Sequence, residues 1–305
     1  MLKASLCALA LAIGGATGFP TLAAVRIVAT TSDLAALATA VGGDLVSVET
    51  VVPAAGDPEA FEPRPGDVDK IRRAEILVRV GLGYDHWLDK LLVRAGNARV
   101  MRGQAGYVDG SVGIPLLEVR GRSVVNEDGH SHGAANPHYW LDPHNAVIVT
   151  GGIAEALIRR LPEQQERILA NRAQFVNAVG ERLPAWTAQA PSRAGAKFIA
   201  YHNSWPYFAR RFRLDVIDVI EPKPGIAPSP AHLARLVSHG RQAQVRAVLH
   251  EPYEPVESSR FVADKLGIPV VVLATSVGSL PGTDDYFALI ELNLKLLAKA
   301  LGGSP

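Results

Sequence analysis

The chain reads as two α/β lobes, each a parallel sheet covered by helices, joined by one long rigid linker helix. Three observations predict this. Strand and helix signals alternate from Val25 to Arg94 and again from Lys197 to Leu301, the grammar of parallel sheets clothed by helices. Between them, from Asn145 to Ala190, nothing has the alternation of a strand. The length of 305 residues, with 48% hydrophobic, suits about two domains with sizeable cores.

The segment 1–24 reads as a signal peptide. Lys3 supplies the positive charge, Leu6 to Ile13 is an unbroken apolar run, and Thr21 to Ala24 offers small-residue cleavage positions. That run is too short to span a bilayer, and Gly14, Gly15, Gly18 and Pro20 would break a buried helix there. The single cysteine, Cys7, lies inside this segment, so the exported chain would carry no thiol. Disulfides and thiolate metal sites are then excluded, and a metal would have to be held by His, Asp and Glu. The localisation expected is periplasmic.

The first lobe is expected over 25–161. Val25 to Thr30 alternates and is rich in β-branched residues, as a strand should be. Thr31, Ser32 and Asp33 are expected to cap a helix marked by Leu34, Leu37, Ala38 and Val41 and ended by Gly42 and Gly43. Val46 to Val52 is a second strand, Asp67 to Ala74 a short helix, and Ile76 to Val80 a third strand. Gly81 and Gly83 turn the chain into a helix over Tyr84 to Arg94. In the middle, Ile148, Ile153, Leu157 and Leu161 fit one helix, and Pro162 can open another, being tolerated in a first turn. Ile168, Phe175, Val179, Leu183 and Trp186 continue it, giving the linker over 162–190. The second lobe, 191–305, repeats the alternation, with strands at Lys197 to Tyr201, Leu214 to Ile220, Ala247 to His250 and Val270 to Leu273.

Charge narrows the function. With 31 basic and 30 acidic residues the formal net charge is +1. No basic field or Lys/Arg run suits nucleic acid. No HExxH pair, G-x-S-x-G turn or phosphate-cradling glycine loop appears, so a metal-dependent hydrolase is disfavoured and the chain is read as a non-enzyme.

Ligands in open α/β sheets bind beyond the carboxyl ends of strands, so polar residues just after each strand are the candidates. Gly56 to Pro63 packs three carboxylates and two prolines after the second strand, and the prolines stiffen the loop around Glu59. His138 is followed by two aromatics and Asp142, which can bury and orient an imidazole. His202 falls at the end of a strand and opens a helix. Two such histidines in opposite halves could share one ion. Glu251 ends another strand, and Asp284 and Asp285 precede the last helix, where they also suit its N-terminal charge. His130 and His132 lie in a polar, glycine-flanked loop that could collect metal.

At these loops the sequence resembles the zinc and manganese class of periplasmic solute-binding proteins, from Val25 to the last helix. In that family a D-P-H-x-(Y/F)-E-P loop gives the first metal ligand, and a histidine before W-L-D-P gives the second. A histidine or glutamate after the first strand of the C-terminal lobe gives the third, and an aspartate after the last strand often gives the fourth. The resemblance implies His138 and His202 as second and third ligands. Glu59 stands where the family has its first histidine, after Asp57 and Pro58. The last strand is followed by Ala274 to Gly278, without an acid, which leaves Asp284, Asp285 or a water to complete the site. Glu251 and Asp142 are candidates for support behind the ligands. What the resemblance implies is a monomeric receptor that captures Zn2+, alternatively Mn2+ or Fe2+, and passes it to the membrane permease of an ABC importer. A metal-binding surface adhesin on the same fold is the other alternative.

Overall fold

The computed structural model describes residues 23–119, 135–190 and 196–302. The segment 1–22, almost all of the expected signal peptide, and the His130/His132 loop lie outside the described residues.

The first sheet holds β1 (Val25–Ala29), β2 (Val46–Thr50), β3 (Ile76–Arg79) and β4 (Tyr107–Asp109) in the order β2-β1-β3-β4, all parallel. The second holds β5 (Lys197–Ala200), β6 (Asp215–Val219), β7 (Ala247–His250) and β8 (Val270–Val272) in the order β6-β5-β7-β8, again all parallel. The two orders are the same winding repeated. β3 and β7 are buried along their whole length, as strands covered on both faces must be, and read as short apolar runs closed by the buried Arg79 and His250. β4 escaped the sequence reading. It is three residues long, at a sheet edge between Gly106 and Gly110, too short for alternation to register.

Helices α1 (Ser32–Gly42), α2 (Pro65–Arg73), α3 (Leu88–Ala95) and α4 (Pro143–Arg160) belong to the first half of the chain. α3 begins later than its apolar pattern suggests. Gly81 takes φ +80° and Leu82 φ +53°, and Tyr84 to Trp87 stay in turns. A side chain at Gly81 would meet the Asp109 carboxylate. α5 (Gln165–Gln189), 25 residues long, runs from the first half to the second and packs on α1, α4 and, in the second half, α9 (Tyr286–Ala300). It passes through Pro184, which tertiary packing accommodates despite the lost N–H. α6 (Pro206–Phe212), α7 (Pro230–Ala243) and α8 (Glu257–Leu266) complete the second half.

One continuous apolar core joins the halves. It runs from Val25 and Leu34 in the first, through Trp140, Phe175 and Trp186, to Phe208, Leu249 and Leu294 in the second. Hydrogen bonds cross with it. Trp140 Nε1 donates to Thr275 O at 2.9 Å, Tyr286 OH to Trp140 O at 2.6 Å, and Tyr207 OH to Asn136 O at 3.0 Å.

Asp33 corrects an expectation. Rather than helping Thr31 and Ser32 to cap α1, its carboxylate lies wholly buried and accepts from the Val277 N–H at 3.0 Å, in the loop between β8 and α9. Burial pushes this carboxyl up to about 7, against hydrogen bonds from Val277 and Ser276 that favour the ionised form. A folded-state value raised above the unfolded one means that stability is highest where the group is protonated in both states. It falls as pH rises from about 3.9 towards 7, by on the order of 4 kcal/mol in total. Asp33→Asn keeps an oxygen for Val277 and removes the buried charge. The variant is expected to melt several degrees above the parent at pH 8, with a smaller gain at pH 5. An equal gain at both pH values, in thermal melts followed by circular dichroism, would refute the assignment.

Candidate metal centre

The strand order reverses direction of winding between β1 and β3 in one sheet and between β5 and β7 in the other, and ligands in such sheets bind beyond the carboxyl ends of strands at these points. Glu59, His138 and His202, from both halves, meet in one cleft. Each candidate ligand reaches that cleft by a different route.

Glu59 sits in the loop after β2. The Asp57 carboxylate accepts from the Glu59 N–H at 2.8 Å, closing a local turn. Trp87 Nε1 donates to Pro58 O at 2.9 Å, and the Phe61 ring meets the Trp87 ring edge-on with centroids 4.9 Å apart. The loop is therefore pinned on both sides of Glu59 before any ligand arrives.

His138 precedes the short turn Tyr139–Leu141 and is wholly buried. Its backbone N–H donates to Asn136 Oδ1 at 3.0 Å, and its Nδ1 lies 3.2 Å from the same oxygen. The other end of that amide donates to Asn203 O and to Glu118 Oε2, both acceptors, which fixes which end is oxygen. Nδ1 therefore carries the proton and Nε2 presents a lone pair. The rings of Tyr84 and Trp140 enclose the imidazole, with centroids 5.2 and 5.4 Å away.

His202 follows β5. Its Nδ1 lies 2.5 Å from Glu221 Oε2, and its backbone N–H donates to Glu251 Oε2 at 3.3 Å. Again Nδ1 is committed to an acceptor and Nε2 is turned to the cleft.

These residues converge. Glu59 Oε1 lies 3.4 Å from His138 Nε2 and 3.3 Å from His202 Nε2, and the three ligand atoms all fall within 4.8 Å of one another. Donor atoms about 2.0–2.1 Å from one ion at tetrahedral angles stand roughly 3.3 Å apart, so the Glu59 oxygen already has the right spacing from both imidazoles. The Glu59 side chain is 19% exposed, the His202 side chain 8% and His138 not at all, so an ion here would be screened little by solvent.

The two imidazoles differ electrostatically. Burial dominates at His138 and lowers its pKa, against the pull of Glu59. Burial lowers that of His202 too, but Glu59 and Glu221 together outweigh it and hold the ring well above the usual histidine range. Around them the carboxyl groups crowd one another. Burial, then the charge of His202 acting the other way, leaves Glu251 at about 7. Burial with Glu221, Asp57 and Glu251 as neighbours pushes Glu254 up to about 8.

The remaining sequence candidates have other duties. Glu251 is buried behind His202, with Oε1 accepting from Trp205 Nε1 at 2.8 Å and Oε2 from the His202 N–H. Asp142 makes contacts on the α4 and α6 side. It accepts the His144 N–H at the start of α4 and pairs with Arg211 at 2.6 Å, because a wholly buried carboxylate there needs a cation that α6 provides. Asp285 accepts from the Phe287 and Ala288 N–H groups at 2.8 and 2.9 Å, capping α9. Asp284 and Asp285 border a groove with Ser32, Phe175 and Phe287 and lie outside the His–His–Glu cluster, so neither joins the three donors. Sequence reasoning missed Glu221 and Asn136. Glu221 had a usable signal, since it comes directly after the expected strand that ends at Ile220, where the rule of strand ends points.

A family model described as zinc-uptake complex component A, periplasmic (ZnuA), matches residues 27–300. The zinc-binding protein AdcA of Streptococcus pyogenes is 23% identical over 285 residues, covering 90% of this chain and 55% of its own length, so the chain spans about half of the first curated relatives it matches. The high-affinity zinc uptake system protein ZnuA of Bacillus subtilis is 24% identical over 268 residues, 85% of this chain and 82% of that one. The manganese ABC transporter substrate-binding lipoprotein PsaA of Streptococcus pneumoniae is 23% identical, at 91% and 89% coverage. A crystal structure of ZnuA superposes with TM-score 0.77 at 26% identity, over 91% of this chain and 99% of the other. A zinc-bound ZnuA deletion mutant gives the same score and identity over 93% and 100%. A match over nearly all the described chain, with the same two-lobed fold, shows that the protein belongs to the ZnuA family of periplasmic zinc-uptake components.

Proposed function

We propose that this chain is an extracytoplasmic receptor that captures a divalent transition-metal ion, zinc first, and delivers it to the permease of an ABC importer. The observation that carries the reading is the convergence of Glu59, His138 and His202, one carboxylate oxygen 3.3–3.4 Å from two imidazole nitrogens drawn from opposite sides of the cleft. Three protein donors, with a water or the second Glu59 oxygen to complete the set, suit an ion that must later leave, whereas a purely structural zinc is closed by four. The reading is of a binding protein and not an enzyme. Both imidazoles are committed at Nδ1 to Asn136 and Glu221, which orients them as ligands and leaves neither as a proton shuttle. The segment 1–24 acts as a cleavable signal peptide, residues 25–161 and 191–305 as the lobes, 162–190 as the linker, and the receptor works as a monomer without nucleic acid.

A second reading, a manganese or iron receptor of the same build, is favoured by the carboxylate in the first ligand position, since oxygen donors shift preference towards harder ions. Relatives with manganese and iron in their names accompany those named for zinc. Elemental analysis of protein from its native compartment, followed by zinc–manganese competition, decides between them. Zinc at one equivalent and displacement of manganese by zinc support the first reading; manganese or iron at one equivalent supports the second.

Removing ligands should order their contributions. Glu59→Ala is expected to weaken zinc binding by at least about tenfold, roughly 1.4 kcal/mol, and Glu59→His to retain it. His138→Ala and His202→Ala should each lose more. Parent-like affinity in Glu59→Ala alongside loss in His138→Ala would remove Glu59 from the ligand set.

The pH response follows from the asymmetry of the imidazoles. His138 is held low and stays neutral, while His202 is held high and keeps a proton in the metal-free protein. Binding must displace that one proton, so affinity falls as pH drops through the raised His202 range, by about tenfold per pH unit. Competition titrations between pH 6 and 8 should give a slope of one proton, and calorimetry in two buffers should detect its release. A two-proton slope centred near the ordinary histidine value, about 6.5, would contradict this.

A further inference from the structure

We propose that Glu221 is a positioning residue for the metal: through His202 it supplies the second negative charge that a divalent ion needs in this cleft. The inference rests on the reading of Glu59, His138 and His202 as the ligands.

The need comes from charge. A divalent ion held by two neutral imidazoles and one carboxylate leaves a net charge of one, in a site where two of the ligands are almost fully buried. A buried net charge is costly unless another group answers it. The loop after β8, Leu273 to Ser279, contains no acid. Of the neighbouring carboxylates, Asp57 is turned to the Glu59 N–H, and Glu251 gives its oxygens to Trp205 and to the His202 backbone. Glu221 is the one whose oxygen meets the side chain of a ligand, at 2.5 Å from His202 Nδ1, with the two side chains 6% and 8% exposed.

Glu221 is held there by the fold. Its N–H donates to Tyr201 O at 2.9 Å, one step beyond the β5–β6 ladder, so its backbone is tied to the residue before His202. Its Oε1 accepts from the Gly225 N–H at 2.6 Å, in a turn where Gly225 takes φ +74° and Lys223 bridges Ile226. With Oε1 anchored, Oε2 has little freedom to leave the imidazole.

The chemistry follows from the contact. A carboxylate that accepts the Nδ1 proton draws positive charge out of the ring, and the electron density at Nε2 rises. His202 becomes a stronger donor, and the negative charge of Glu221 is felt at the ion through the ring. His138 has a neutral amide, Asn136, in the corresponding place, so it is oriented without this strengthening. The two histidines are thus unequal, and the difference lies in what stands behind them.

Glu221→Gln tests this, since its single amide oxygen can still accept from Nδ1 while the charge is gone, at the cost of the Gly225 N–H contact, which the amide NH2 cannot accept. The full chain without its signal segment would be titrated with Zn2+ against a chromophoric competitor, alongside Glu221→Asp, Glu59→Ala and His202→Ala. Glu221→Gln is expected to bind zinc about 10–100-fold more weakly, and Glu221→Asp, which keeps the charge on a shorter arm, to fall between it and the parent. Loaded with Co2+, Glu221→Gln should keep the visible absorption band shape of the parent, because the donor atoms are unchanged; His202→Ala should change it. Metal-free melting temperatures of all variants identify any that fail to fold, in which case Glu221→Asp alone decides, by weaker binding with a parent-like cobalt spectrum. If Glu59→Ala and His202→Ala lose zinc while Glu221→Gln binds within about twofold of the parent, the role of Glu221 is overturned and the site stands. If none of the variants loses zinc, the ligand assignment itself is wrong. A changed cobalt spectrum in Glu221→Gln would make Glu221 a direct ligand and also overturn the proposal.

Discussion

Trp140 ties the cleft together. Its indole N–H reaches Thr275 O beyond β8, and its own carbonyl accepts from Tyr286 OH at the start of α9. It lies two residues after His138, and its ring packs against that imidazole. The position of one proposed ligand in the first lobe is thereby set against the backbone of the second. Without such a tie, bringing His138 Nε2 and His202 Nε2 to one Glu59 oxygen would require the lobes to be fixed by the ion, and ordering them would subtract from affinity. The shared core and α5 serve the same end. A site assembled in advance uses its ion–ligand attraction for binding rather than for closing.

Much of the fold was legible because it is written in period and length. Parallel strands covered on both faces are largely apolar, and β3, β5 and β7 stand out by their apolar centres, with Arg79, Lys197 and His250 only at their ends. The strand-free stretch before Ala190 could only be helical. What escaped is what periodicity does not encode. β4 is too short to have a period. Asp33 sits where a helix cap belongs, and only the approach of the β8–α9 loop turns it into a contact between lobes. Asp142 pairs with Arg211, which arrives from α6, far along the chain.

The cluster of Glu59, His138 and His202 is also partly legible. His138 and His202 can be picked out from their place at loop and strand ends, and Glu59 from its stiff, acidic loop, with the family resemblance lending the ligand order proposed for them. The groups that tune them cannot be found so easily. Asn136 becomes an orienting group only because Asn203 and Glu118 hold its amide from the other side. Glu221 follows a strand like the others, but nothing in its local sequence says that it faces His202 rather than solvent; that follows from β6 lying beside β5 in the sheet. Long-range pairing, which a single sequence does not display, is what converts a list of polar residues into an electrostatic arrangement.

That arrangement also explains how three ligand atoms can wait so close together. A carboxylate and two imidazoles, desolvated, would gain nothing from mutual proximity if all were held in their metal-binding protonation states, since the lone pairs face one another. The raised His202 value removes the difficulty between that ring and Glu59. A proton on Nε2 faces Glu59 Oε1 at 3.3 Å while the proton on Nδ1 faces Glu221 Oε2, so the imidazolium sits between two carboxylates. His138, pressed by burial towards the neutral form, adds no competing cation. On the proposed reading, the proton stands in for the metal's charge, and binding would exchange one cation for another in a site whose geometry need not change. The same carboxylates that keep the cluster compact without metal are those that would neutralise the ion, which is why preorganisation and affinity here have a common physical source.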